Sequence, residues 1–330
     1  MGKPKNNPES QSQIEGELSL AELTDSKADK LQRTVALLKR QNSILADALE
    51  QSRQQHRVVR IQPVPSKRSK SEFVRVIIPD THGSAIDPVA AGIFLSDLRA
   101  IDPDEIVMGG DHIDAGGFLA QHHTLGYVAQ TEYSYEDDIA CANDFLDRVQ
   151  KNAPRAKIHY IEGNHERRVE TWCVTESLRN TKDAEMLRRL LAPQFKLRLA
   201  ERGIQYYRQS EHYHGLRIPG AIRLGKCYFW HSVSTAKSAA PVNLRQFSAN
   251  VVYFHTHRRD AASGVPINKG DIGAWNPGCL CKMQPLWQHT RPTDWTHGFG
   301  IQLIARNANF LHINIPIING QSLLMPLLKR

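Results

Sequence analysis

Five separate stretches of the chain share one construction, a short apolar run closed by aspartate, asparagine or histidine. FVRVIIPDTH ends at Asp80 and His82, EIVMGGDHID at Asp111 and Asp114, and KIHYIEGNHE at Asn164 and His165; CYFWHS ends at His231 and NVVYFHTH at His255 and His257. Short apolar runs bounded by polar residues read as buried strands. The helical stretches PVAAGIFLSDLRAI and EDDIACANDFLDRVQ lie between the first three runs, so the alternation indicates an α/β architecture. A further helix is expected over DAEMLRRLLAPQFKLRLAERG, residues 183–203. In open α/β sheets ligands gather at the carboxyl ends of strands, and the repetition therefore points to a single site.

Carboxylate oxygen, amide oxygen and imidazole nitrogen are donors suited to manganese, iron, zinc or nickel more than to calcium. Asp80, His82, Asp111, Asn164, His231, His255 and His257 are more ligands than one ion needs when it also binds water and substrate. Two divalent ions sharing a bridging carboxylate account for the surplus. Taken singly, each pattern has a bland explanation. An Asp-x-His triplet arises by chance, aspartate and glycine at a strand end form turns or helix caps, and paired histidines can be satisfied core residues. Their joint occurrence, each behind an apolar run, is what argues for a metal centre.

In this order, the motifs D-x-H, G-D-x-x-D, G-N-H-E, a single H and H-x-H resemble those of the calcineurin-like metallophosphoesterase superfamily, over residues 73 to 320. The resemblance implies a four-layer αββα sandwich of two mixed β-sheets with flanking helices. It also implies a first ion held by Asp80, His82, Asp111 and His257, and a second held by Asp111, Asn164, His231 and His255, with Asp111 bridging. Two divalent cations roughly 3.5–4 Å apart bind a phosphate ester, spread its developing charge and acidify a shared water. His165 is the candidate general acid for the leaving oxygen. Similar family members suggest that Asp114 holds the other ring nitrogen of His165, a turn or helix cap being the competing reading. Arg167 and Arg168 could neutralise substrate phosphate, against a role in surface solvation.

Two departures stand out. Ala115 replaces the arginine of the G-D-x-V-D-R-G pattern of protein Ser/Thr phosphatases, which argues against that branch. Phe254 stands where the superfamily usually has glycine, and a local backbone adjustment is expected there. The segments GAWNPGCLCKMQPLW, DWTHGFG and NFLHINIPIING look like the end of stand-alone phosphoesterases of bacteriophages and their bacterial relatives, with a turn at Asn276-Pro277-Gly278 near the metal face. Cys279 and Cys281 invite a zinc reading, but no other close Cys/His pair has structural-zinc spacing, so they read as alternately packed strand residues. His122, His123, His212 and His214 match no ligand motif and read as surface or substrate-rim residues.

Charge separates the tail from the rest. The net charge of the 330 residues is +8. Residues 1–70 hold 13 Lys/Arg against 8 Asp/Glu, leaving 29 against 26 in residues 71–330. The chain is expected to divide into a tail, 1–70, and a domain, 71–330, that the resemblance implies is a metallophosphoesterase. Within the tail, Leu31, Leu38 and Leu45 alternate with Val35, Asn42 and Leu49 at seven-residue spacing, so that residues 25–51 read as a short coiled coil able to form a homodimer. Residues 53–70 carry six basic residues and no acidic one, and form a linker that could contact nucleic acid. No apolar run approaches the roughly 18–20 residues of a membrane span, and no secretory h-region is present, so a cytoplasmic protein with reduced cysteines and no membrane partner is expected.

The leading expectation is a metal-dependent phosphoesterase acting on phosphate mono- or diesters. A DNA-directed nuclease of the same superfamily is the alternative. A scaffold protein working through the coiled coil is the alternative of a different class.

Overall fold

The computed structural model describes residues 73–115, 134–177, 184–232, 234, 236–266, 270–285 and 292–324, together with Gln32, Val35 and Lys39, which are helical. The remainder of the 25–51 repeat, the basic 53–70 segment, His122 and His123 lie outside the described residues.

Strands β1 (Phe73–Ile78), β2 (Glu105–Met108) and β3 (Lys157–Ile161) pair in parallel, in chain order. Parallel neighbours need a long crossover, and helices α1 (Pro88–Ile101) and α2 (Tyr135–Asn152) lie in the two connections. Local sequence starts both helices. The Asp87 carboxylate accepts from the N–H groups of Val89 and Ala90, with Pro88 at the first helical position. Ser134 and Asp137 form a reciprocal capping box at the head of α2.

Helices α3 (Asn164–Ser177), α4 (Ala184–Leu191) and α5 (Pro193–Lys196) follow. The single helix expected over 183–203 is interrupted. Ala192 is extended ahead of Pro193, because a proline ring excludes the helical conformation of the residue before it, and residues 197–203 run on as turns.

Strands β4 (Gln205–Tyr207), β10 (Gly298–Ile304), β11 (Phe310–Ile318) and β12 (Gln321–Ser322) complete a seven-stranded mixed sheet of order β12-β11-β10-β1-β2-β3-β4. A second mixed sheet, of order β5-β6-β7-β9-β8, contains β5 (Ile222–Leu224), β6 (Cys227–Trp230), β7 (Val251–Tyr253), β8 (Arg259–Gly264) and β9 (Ile272–Pro277). Its strands β6, β7 and β9 are parallel.

Period-two alternation decides which way each sheet packs. Val74, Val76 and Ile78 join Phe94 and Leu98 of α1 and Phe145 and Leu146 of α2 in one cluster. From the opposite face, Ile77, Val107 and Ile161 pack with Ile222, Phe229, Val252 and Phe254 of the second sheet. Helix α6 (Ala239–Phe247) sets Ala239 and Ala240 against Val251, Tyr253 and Ala274 on the far side of that sheet. Each such buried branched or aromatic side chain contributes roughly 1.5–3 kcal/mol.

Phe254 is accommodated by a residue distant in sequence. It is fully buried between the sheets, and a Cβ placed on Gly109 would overlap its ring. The missing side chain at 109 makes room for the large one at 254.

Candidate metal centre

The residues singled out from the sequence follow the ends of β1, β2, β3, β6 and β7, and those of β1, β2 and β7 sit on unusual backbone. His82, Asp111, His255 and His257 have φ of 54°, 48°, 88° and 57°. A non-glycine residue in the left-handed region costs of order 1–3 kcal/mol and persists only where its surroundings over-determine it. Here the loops are tied to one another. The N–H groups of Thr81 and His82 donate to the Asp111 carbonyl at 3.1 and 2.9 Å. The buried Glu166 carboxylate accepts from the N–H groups of Asp111, His112 and Gly163 at 3.0, 2.7 and 3.0 Å, and from the Tyr160 hydroxyl at 2.6 Å. Asp138 does the same one turn into α2, accepting from Ser84 N at 2.8 Å and from Asp114 N and Ala115 N at 2.9 Å. Gly163 is required by close approach, since a Cβ there would overlap Asp111.

These ties bring together two donor groups that share Asp111, beside two further groups, His82 with Asp114 and His165, and His82 with His257 and Cys281. Asp80, His82, Asp111 and His257 each offer an atom within 4.8 Å of the others, and so do Asp111, His231 and His255. In the first group His257 Nε2 lies 2.9 Å from Asp80 Oδ2 and 3.1 Å from His82 Nε2. In the second, His231 Nε2 lies 3.3 Å from Asp111 Oδ2 and 3.0 Å from Asn164 Oδ1. The Gly109 carbonyl accepts from His231 Nδ1 at 2.7 Å, which leaves the Nε2 lone pair facing the group.

The donor set fits metal binding. Separations near 3 Å between ring nitrogens and a carboxylate oxygen suit donors that bind one ion at about 2.0–2.2 Å. Among the described residues His255 Nδ1 is buried without a hydrogen-bond partner, as a ring nitrogen reserved for another ligand would be.

Electrostatics point the same way. Asp80, Asp111 and Asp114 are buried together. Burial opposes ionisation of Asp111, but His231 and His165 hold its carboxyl well below the usual range. Burial likewise opposes charge on His82, yet its bond to Asp114 and the charges of Asp111, Asp114 and Asp80 raise it to about 9. His231 is raised to about 10 against burial, chiefly by Asp111. His255, with burial and the His231 charge both acting downward, falls to about 4. The carboxylates thus raise His82 and His231, while burial lowers His255 and His257.

The remaining candidates are placed as follows. His165 packs edge-on against His82, and the Asp114 backbone carbonyl accepts from His165 Nδ1 at 2.8 Å. The Asp114 carboxylate lies 3.7 Å from that nitrogen and 3.2 Å from His82 Nδ1, so the side chain expected to hold His165 holds His82 more closely. Arg167 is exposed and donates to Gln209 Oε1 at 3.3 Å, while Gln209 Nε2 donates to the His231 carbonyl at 3.3 Å. Arg168 is half-buried, and His212 and His214 are exposed. Asn276 Oδ1 accepts from Gly278 N at 2.9 Å, closing the expected turn where Gly278 has φ 100°.

Cys279 and Cys281 are not alternately packed. Cys279, Leu280 and Cys281 are all fully buried and lie beyond the end of β9, in isolated bridges to Asp80 and Ile86. Sequence reasoning gave no role to Glu166, Asp138 or Gln209. Glu166 alone had a signal, as the last letter of G-N-H-E.

Fold and site together define a mixed α/β protein whose two sheets carry, at their strand ends, a buried carboxylate–imidazole cluster of donors that could hold metal ions. Neither a family model nor a curated protein matches the chain. Among solved structures, a Vps29 single mutant from Entamoeba histolytica is similar at 12% identity and TM-score 0.37, covering 76% of this chain and 96% of that one. Vacuolar Protein Sorting 29 from Cryptosporidium parvum is similar at 10% identity and TM-score 0.37, covering 77% and 95%. Yfce, a phosphoesterase from E. coli, is similar at 13% identity and TM-score 0.31, covering 73% and 99%.

Proposed function

We propose that the chain is a metal-dependent phosphoesterase that hydrolyses phosphomonoesters or phosphodiesters with water. The observation that carries this reading is that Asp111 belongs to both donor groups, as a carboxylate bridging two ions must. Asp80, His82, Asp111 and His257 would hold one ion, and Asp111, Asn164, His231 and His255 the other. When bound, the ions supply Lewis-acid charge for the phosphate oxygens and an acidified water as nucleophile.

The chain's own residues do the rest. Glu166 and Asp138 fix the loops that carry Asp111 and Asp114, so the donors need little reorganisation to bind. The Asp114 carbonyl keeps a proton on His165 Nδ1, so a proton taken up at Nε2 is the one available to the leaving oxygen. Arg167, at the head of α3, adds positive charge for the substrate.

The test is a matrix of manganese, nickel, zinc and magnesium against a chromogenic monoester, a chromogenic diester, single- and double-stranded DNA and a phosphopeptide. Turnover of at least one ester, abolished by Asp111→Asn, supports the reading. Cleavage of the diester and DNA without the monoester selects a nuclease, for which the basic 53–70 segment would supply salt-sensitive binding. Metal-loaded protein that is silent against every substrate overturns the reading in favour of a scaffold.

A further inference from the structure

Beside the first ion position lies a donor of different chemistry. Cys281 Sγ and ring nitrogens of His82 and His257 lie within 4.8 Å of one another, and all three residues are buried. The thiol does not arrive there by loose packing. Leu280 N donates to the Asp80 carbonyl at 2.9 Å and Lys282 N to the Ala85 carbonyl at 2.8 Å, so the backbone on both sides of Cys281 is pinned to the loop that carries His82. His297 Nε2 donates to the Cys281 carbonyl at 2.8 Å and fixes the peptide itself. The group that contains the thiol contains neither Asp80 nor Asp111, whereas the group without it contains both, and the two groups share His82 and His257.

We propose that Cys281 gives the first ion position a second, soft donor set: a thiophilic divalent cation, zinc above all, is held through Cys281 Sγ with His82 and His257, displaced from the Asp111 bridge. The inference rests on the ion position proposed above and names what selects the metal there. Manganese and magnesium favour the oxygen-rich set with Asp80 and Asp111, while zinc and cobalt gain from a thiolate. The thiol releases its proton to solvent as the sulfur–metal bond forms, with no change in oxidation state.

The test uses the full chain stripped of metal and titrated with cobalt(II), zinc and manganese, in the wild type and in Cys281→Ser, Cys281→Ala and Cys279→Ser. The expected result is a near-ultraviolet thiolate-to-cobalt charge-transfer band in the wild type and in Cys279→Ser, absent from both Cys281 variants. Zinc binding should weaken at least about tenfold in Cys281→Ser while manganese binding stays within about twofold. Cobalt bound to the wild type without the band overturns this inference alone, as does a band that survives in either Cys281 variant. No cobalt bound to the wild type overturns the two-ion reading along with it.

Discussion

Glu166 Oε2 accepts a hydrogen bond from the backbone N–H of Asp111 at 3.0 Å, so the residue common to both donor groups is held in its left-handed conformation by a buried carboxylate from another element. Because Glu166 also accepts from His112, Gly163 and Tyr160, its loss strands several buried donors at once. Glu166→Ala should lower stability by at least about 3 kcal/mol, from unsatisfied donors at about 1–3 kcal/mol each. Metal affinity should fall on the order of 10–100-fold, as for lost outer-shell support. Denaturant unfolding and metal titration of the same preparation check both, and a variant with unchanged metal affinity would remove Glu166 from the site's support.

On the proposed two-ion reading, Asp111→Asn should leave one ion bound, because an amide offers one oxygen and no charge to share. Elemental analysis of the dialysed protein reads the stoichiometry directly. Two equivalents bound as tightly as in the wild type would show that Asp111 does not bridge.

His165→Ala should slow hydrolysis of an alkyl phosphate about 10²–10⁴-fold, the usual worth of a general acid. A nitrophenyl ester, whose leaving group needs no proton, should lose far less. Equal losses on the two substrates would assign His165 to binding instead of proton transfer.

Gly109 and Phe254 should be energetically coupled. Gly109→Ala is expected to cost about 1–3 kcal/mol by overpacking, and Phe254→Ala about 3–5 kcal/mol through the cavity it leaves. Since the new methyl group occupies space that the ring vacates, the double variant should be more stable than the sum of the two losses predicts, by about 0.5–3 kcal/mol in a double-mutant cycle. Additive losses would mean that the two positions do not meet.

Glu162 offers a pH test of the same region. Burial, reinforced by the Glu170 charge, pushes its carboxyl up to about 7, against bonds from Gln209 N and the Tyr206 hydroxyl. A folded value above the unfolded one means protons are taken up on folding, so its stabilising contribution is complete below about 4.5 and is lost as pH rises through about 7. Melting temperatures of metal-free wild type should therefore fall relative to Glu162→Gln between pH 5 and 8. Parallel profiles for the two proteins would contradict it.

Much of the fold was legible because its signals are local. The short apolar runs that become β1, β2, β3, β6 and β7 and the helical stretches between the first three are each written within a few residues, whereas Pro193 breaks a segment otherwise rich in helix formers. The candidate donors were legible for a related reason: a strand end places its next residues at the end of the sheet whatever lies around it, so Asp80, His82, Asp111, Asn164, His231, His255 and His257 are named as candidates from their runs.

What the chain order could not decide is which side chain meets which. Asp114 sets its carboxylate closer to His82 than to His165, Phe254 finds its space at Gly109, and Cys281 comes beside His82 and His257 from the segment beyond β9. Those pairings span from tens of residues to well over a hundred and leave no periodic trace in the sequence. They are settled only when two twisted sheets close on a shared core, because contact distances of a few ångströms depend on the packing of the whole and not on any segment of it.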